Sequence, residues 1–244
     1  MMESLVLYGL LGIVAGLLAG LLGVGGGIVI VPMLVFAFGR AGFAPESIML
    51  LALATSLGSI MFTSVSSALA HSRRGAVDWQ TVWRISPGIL LGTFAGTAVA
   101  VLLSRRFLQI FFVVFLTYVA VQMLRGSRPC ASRELPGAWG MGAAGGVIGL
   151  TSSLVGIGGG TLSVPFLVWH NAEMHRAIGT SAAIGFPIAV AGCCGYLING
   201  LGATGLPPHC LGYLYLPALF PLVVCSMLTA PLGARIAHRL PVNR

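Results

Sequence analysis

The chain has 244 residues, of which 57% are hydrophobic and only 7% charged, where a soluble domain carries about 25% charged residues. So little charge cannot coat a globular surface in water, which excludes a soluble fold and makes lipid the solvent for most of the chain. The net charge of +8 comes from thirteen arginines and no lysine; on a membrane protein such charge marks cytoplasmic loops, and no nucleic-acid partner follows from it.

Taken in chain order, the apolar segments are long and cleanly separated. Ser4 to Gly39 has no charged residue and runs into "LLAGLLGVGGGIVIVP" (Leu17 to Pro32). It is too long for a cleavable signal and lacks a basic n-region before it. Ala44 to Ala70 carries only Glu46, and Ile85 to Ser104 and Phe107 to Leu124 are uncharged. After the basic stretch "RGSRPCASRELP" come three more uncharged runs, Leu135 to Trp169, Ala177 to Pro208 and Leu211 to Ala234. Apolar runs of about 18 residues or more read as transmembrane helices, so the expected fold is an all-α polytopic membrane protein. Cys130, Cys193, Cys194, Cys210 and Cys225 form no CxxC and no metal-ligand spacing. Within helices they read as small packing residues, and no cofactor or metal is expected.

The glycine-rich break recurs. Aligning it with "SSLVGIGGGTLSVP" (Ser152 to Pro165) places Gly23 opposite Gly156, Gly25-Gly26-Gly27 opposite Gly158-Gly159-Gly160, and Pro32 opposite Pro165. The register continues: "LATS" (Leu53 to Ser56) matches "IGTS" (Ile178 to Ser181), and "GTFAG" at Gly92 matches "TAPLG" at Thr229. The reading is two repeat units, residues 1–125 and 137–244, joined by a cytoplasmic linker over 126–136. Such repeats are the mark of secondary transporters.

Each unit opens with an uncharged stretch, 36 residues in the first and 35 in the second. As one helix that would span about 52 Å, against a bilayer core of roughly 30 Å. A helical hairpin tipped by GxGGG fits better. With hairpins and a cytoplasmic linker, ten arginines fall inside and three outside, whereas single passes would give six against seven. The positive-inside rule selects the hairpins and two units of inverted orientation. It also places the loop after Ile198 outside.

These residues resemble the TauE/SafE family of sulfite exporters. The resemblance rests on the doubled glycine motif with its prolines, the Thr-Ser pair in the next helix, and "RRGAVDW" after it. It covers nearly the whole chain and implies a transporter of small anions, typically sulfite, sulfoacetate or related sulfur oxyanions. Members usually carry another helix after the segment matching "GARIAHRL", so about 20 further apolar residues, or a partner chain, are expected to complete the second unit.

The chemistry follows from the break. A helix interrupted in lipid leaves backbone N–H groups that must face protein or a water-filled cavity. The helices restarting at Ile28 and Thr161 would aim their positive ends at that cavity and attract an anion. Gly25, Gly26, Gly27, Gly158, Gly159 and Gly160 are therefore the candidate backbone ligands. The bland alternative is that these glycines only permit close helix packing. A dinucleotide fingerprint is excluded because no strand precedes the motif. Thr55-Ser56 and Thr180-Ser181, present in both units, are the candidate hydroxyl ligands. Ser59, Thr63 and Ser67 continue the first pair along one helix face and read as packing or pathway lining. His71 could sense protons, Asp78 is expected to pair with Arg73, Arg74 or Arg84, and Asn199 could line an entrance.

The reading is a secondary transporter of small anions working by alternating access in a bacterial inner membrane. Its partners are a small anionic substrate and the lipid bilayer, with room for a coupling ion (proton or sodium) and for a homo-oligomer. The rival readings are a membrane-embedded enzyme acting on small sulfur compounds, for which no nucleophile–base pair or metal cluster is present, and a membrane scaffold.

Overall fold

The computed structural model describes residues 2–23, 25–124 and 135–239. The expected linker lies outside them except for Leu135 and Pro136, as do Cys130 and the chain after residue 239. Within the described residues the helices are α1 (Met2–Leu22), α2 (Gly27–Arg40), α3 (Pro45–Ser72), α4 (Trp79–Leu102), α5 (Arg105–Leu124), α6 (Ala138–Val155), α7 (Gly160–Trp169), α8 (Met174–Gly200) and α9 (Leu216–Ala237). Six of them are long and apolar enough to cross a membrane. The protein is an all-α polytopic membrane protein.

Local signals set the helix boundaries. Pro45 opens α3 from its first turn, where its missing N–H costs nothing. Asp78 caps α4, its carboxylate accepting from the Thr81 amide at 3.2 Å and the Thr81 hydroxyl at 2.9 Å. That cap replaces the expected arginine pairing. Arg74 donates instead to the Ala234 carbonyl of α9 at 2.8 Å. Between α8 and α9, where only a loop is expected, the chain forms a short β-hairpin, β1 (Cys210–Leu211) with β2 (Leu214–Tyr215), pairing Cys210 with Tyr215 and Leu211 with Leu214.

α3 and α8 pack against each other at the centre. The most apolar stretch of α3 is 83% buried, against 17% for α5, which therefore faces lipid. Two further pairs flank this centre, α1 with α9 and α4 with α6. Both run parallel and both depend on small residues. Gly12, Gly16 and Gly20 meet Leu222, Ser226 and Ala230 in turn, while Gly88 and Gly92 rest on the backbones of Gly142 and Gly146. In lipid, dispersion between close backbones replaces the hydrophobic drive that holds helices together in water.

The two ends of the molecule differ. At one, Phe38 at the end of α2, Phe43 before α3 and Tyr215 before α9 form an aromatic cluster with centroids 5.1–5.3 Å apart. At the other, His71 at the end of α3 meets His238 after α9, and His175 at the start of α8 stacks on His238. So α3 and α9 run one way and α8 the other.

The helix pairs yield a direct expectation. Any Cβ at Gly92 would collide with the Gly146 backbone, whereas one at Gly142 meets nothing within 4 Å. Gly92→Ala should lower the melting temperature in detergent, by the equivalent of about 1–3 kcal/mol of overpacking. Gly142→Ala should leave it within error.

Candidate functional site

Both glycine motifs break the helix, one residue earlier than the sequence indicates, with α2 starting at Gly27 and α7 at Gly160. The caps Gly26 and Gly159 sit at φ +78° and +79°, left-handed backbone that any other residue would strain. Both turns fold the chain back: Gly26 lies against Ala15 of α1, and Gly159 against Ile148 and Ser152 of α6. From the turns, α2 and α7 run to opposite ends of the molecule.

The two turns meet. A Cβ at Gly25 would lie 3.2 Å from the Gly158 Cα, and one at Gly27 would strike the Gly156 carbonyl. The positive ends of α2 and α7 therefore face one another inside the protein. The first intrahelical bonds run from Val29 and Ile30 to the Gly26 carbonyl, and from Leu162 and Ser163 to the Gly159 carbonyl. The amides preceding them are those a helix start leaves without an intrahelical partner.

The Thr-Ser pairs hold this meeting together, each reaching across to the other half of the chain. Ser56 of α3 donates to the Gly156 carbonyl at 2.8 Å, and Ser181 of α8 donates to the Gly23 carbonyl at 3.1 Å. Thr55 accepts from the Tyr215 amide ahead of α9 at 3.0 Å, and Thr180 accepts from the Asp78 amide ahead of α4 at 2.9 Å. Ser181 also shares a 2.7 Å bond with Ser163. All four side chains are buried. In this conformation their hydroxyls are engaged with protein groups: Ser56 and Ser181 brace the glycine turns, and Thr55 and Thr180 hold the starts of α9 and α4.

Hydroxyls without protein partners lie further along α3. Ser59 and Ser67 are buried with no hydrogen-bond partner. Ser67 lines a small pocket with Ser64, Ala19, Gly23, Gly25, Ala182 and Gly185, between the first glycine turn, α3 and α8. Its walls are drawn in so far that no water-sized space remains. Ser64 bonds back to Met61 and Thr63 to Ser226, at 3.1 and 2.6 Å. The sequence contains this stripe at steps of three and four, but only burial and missing partners distinguish Ser67 and Ser59 from packing serines. The larger groove of about 790 Å³ between α5, α6 and α7, lined by Val147, Leu162, Pro165 and Phe166, is open and apolar. It suits a lipid chain better than an anion. Asn199, proposed for an entrance, bonds within its own helix to the Gly195 carbonyl at 2.7 Å.

Comparison with known proteins agrees with this architecture. The family model described as sulfite exporter TauE/SafE matches residues 8–244. The chain belongs to the TauE/SafE family. Among its relatives, a probable membrane transporter protein of Haemophilus influenzae is 35% identical over 237 residues, covering 96% of this chain and 89% of the relative. The probable membrane transporter protein YunE of Bacillus subtilis is 29% identical over 217 residues, covering 81% and 80%. One from Methanocaldococcus jannaschii is 26% identical over 244 residues, covering 95% and 85%. No solved structure matches. The protein is thus a TauE/SafE-family integral membrane transporter.

For this TauE/SafE protein the cross-bonds predict paired stability effects. Ser56→Ala leaves the buried Gly156 carbonyl without its donor and should cost about 1–3 kcal/mol. Ser181→Ala should cost a similar amount through the Gly23 carbonyl. Thermal unfolding in detergent checks both. If only one lowers the melting temperature, the turns are not held reciprocally.

Proposed function

We propose that the protein carries small anions, above all sulfur oxyanions such as sulfite and sulfoacetate, by alternating access through two inverted repeat units in a bacterial inner membrane. One observation carries this reading: two glycine turns bring the starts of α2 and α7 together inside the protein, beside the unpartnered Ser67 hydroxyl. Helix starts attract anions, each contributing about 0.3–2 kcal/mol. Glycine lets an oxyanion meet bare N–H groups. In this reading Gly25 to Gly27 and Gly158 to Gly160 bind the anion, and the Thr55-Ser56 and Thr180-Ser181 pairs set the turns and join the ligand shell when the helices move. With no lysine anywhere in the chain, binding stays weak enough to reverse.

The inverted arrangement is supported by the reciprocal bonds. Under the alignment of the two units, Ser56 corresponds to Ser181 and Gly156 to Gly23, so the two cross-bonds exchange when the units are exchanged. His71 corresponds to Tyr196, and these too bond corresponding carbonyls, of Gly20 and of Ser153, at 2.9 Å in each case. Alternating access then has a physical basis, one unit rocking against the other about a shared centre.

Two measurements test the reading. In proteoliposomes, sulfite or sulfoacetate flux should exceed that of lactate and chloride. Gly26→Val and Gly159→Val should lower it at least about tenfold while inserting normally, since the β-branched side chain blocks the backbone amides and strains the left-handed φ. Wild-type flux in both variants would show the turns to be packing devices.

The orientation is tested separately. The arginines after α3, at the start of α8 and at the end of α9 favour an orientation with the histidine end in the cytoplasm and Cys210 outside. Burial pushes the Cys210 thiol up to about 11. An impermeant maleimide should therefore label Cys210 in intact cells slowly at neutral pH and about tenfold faster per pH unit above it, because the thiolate reacts. Cys130 should stay unlabelled. The opposite pattern would invert the topology.

A further inference from the structure

The stripe on α3 does not stop at Ser67. Ser56, Ser59, Thr63, Ser67 and His71 follow one face at steps of three and four, all of them buried. They span about 22 Å, from the glycine turns to the histidine end. The corresponding face of α8 is Ser181, Ile184, Ile188, Gly192 and Tyr196. Buried polar side chains in a membrane-spanning helix are costly and mark solute or proton pathways. On that face of α8 the positions between Ser181 and Tyr196 are all apolar.

His71 ends the stripe in a defined hydrogen-bond state. Its Nε2 lies 2.9 Å from the Gly20 carbonyl of α1, which can only accept, so Nε2 carries a hydrogen. A neutral His71 then accepts at Nδ1 from His238 Nε2–H, 3.0 Å away. His175 of α8 stacks on His238 at 5.3 Å and 15° rather than pointing a nitrogen at it. Among the described residues, no group of three such side chains is placed to hold a metal. The titratable and charged groups facing His71 are Arg74, His175 and His238, with α1 contributing only a carbonyl. All three are basic. Burial, then Arg74 and His175, hold the His238 imidazole below its ordinary value. The cluster has a geometry that accepts a proton, since His238 can switch tautomer and keep the 3.0 Å bond, but no counter-charge. One helical turn back, the pocket beside Ser67 is where a counter-charge would sit.

We propose that His71 takes up a proton together with an anion entering the pocket beside Ser67, so that the two cross as a pair. This rests on the anion-transport reading above. Each bound charge compensates the other, so by linkage the anion raises the proton affinity of His71 and the proton raises the anion affinity by the same factor. The proton also lowers by one the net charge carried through the bilayer centre.

The test is calorimetric titration of the purified protein with sulfoacetate and methanesulfonate, whose charges stay constant between about pH 5.5 and 8, where a histidine switches. Sulfite itself titrates in that range. Running each titration in two buffers of different ionisation enthalpy counts protons. The parent should take up close to one proton per anion above the pKa of the free site, and its affinity should fall up to about tenfold per pH unit there. His71→Gln keeps a donor for Gly20 and an acceptor for His238; it should bind the anions more weakly, with no proton uptake and a flat pH profile. Ser67→Ala should lose affinity at least several-fold and keep the proton count. Anion binding by the parent without proton uptake would overturn the proposal and leave anion transport standing. So would a His71→Gln protein that takes up protons like the parent, or a Ser67→Ala protein of unchanged affinity. Should His71→Gln not fold, the parent's proton count decides alone. A parent that binds neither anion at any pH overturns the transport reading and this proposal together.

Discussion

The architecture depends on one constraint: backbone groups freed by a helix break inside a membrane must be satisfied by protein, because no water is there to do it. Here the two breaks satisfy each other. The Gly156 carbonyl takes its hydrogen from Ser56 and the Gly23 carbonyl takes its hydrogen from Ser181, each across the central α3–α8 contact. Neither half can make these bonds alone. The same requirement explains why α3 and α8 lie deepest, since they carry the donors, and why the turns are glycine. Each turn is pressed against the other or against its own first arm, leaving no room for a side chain.

On that shared frame the two halves are filled differently. Along α8, Ile184 and Ile188 lie between Ser181 and Tyr196, all of them fully buried. Along α3, the corresponding positions are Ser59 and Thr63, leading to His71. Leaving the Ser59 and Ser67 hydroxyls without partners costs about 1–3 kcal/mol each. A protein built only for stability would place an apolar side chain at Ser59, as α8 does with Ile184.

Small residues let the flanking helix pairs pack closely. The α1–α9 and α4–α6 pairs touch through glycine backbones along parallel helices. Such contacts bring the helix axes close together.

Much of this was legible in the chain itself. Membrane residence followed from a charge content too low for any aqueous surface. The breaks followed from glycine and proline where apolar helices otherwise continue. The doubled motif located both turns to within one residue, because backbone conformation at glycine is a local property. What tertiary structure alone decided was the use of each hydroxyl. Thr55, Ser56, Thr180 and Ser181 were expected as ligands because they recur; the fold shows each of them bonded to a backbone group of the other half. Ser67 read as packing or pathway lining, and the structure leaves its hydroxyl without a partner. Asp78 turned from an ion-pair partner into a helix cap. A hydroxyl's role depends on which acceptor lies within about 3 Å, and those acceptors belong to residues a hundred or more positions away. Periodicity places a side chain on a face, but only the packed fold determines what that face meets.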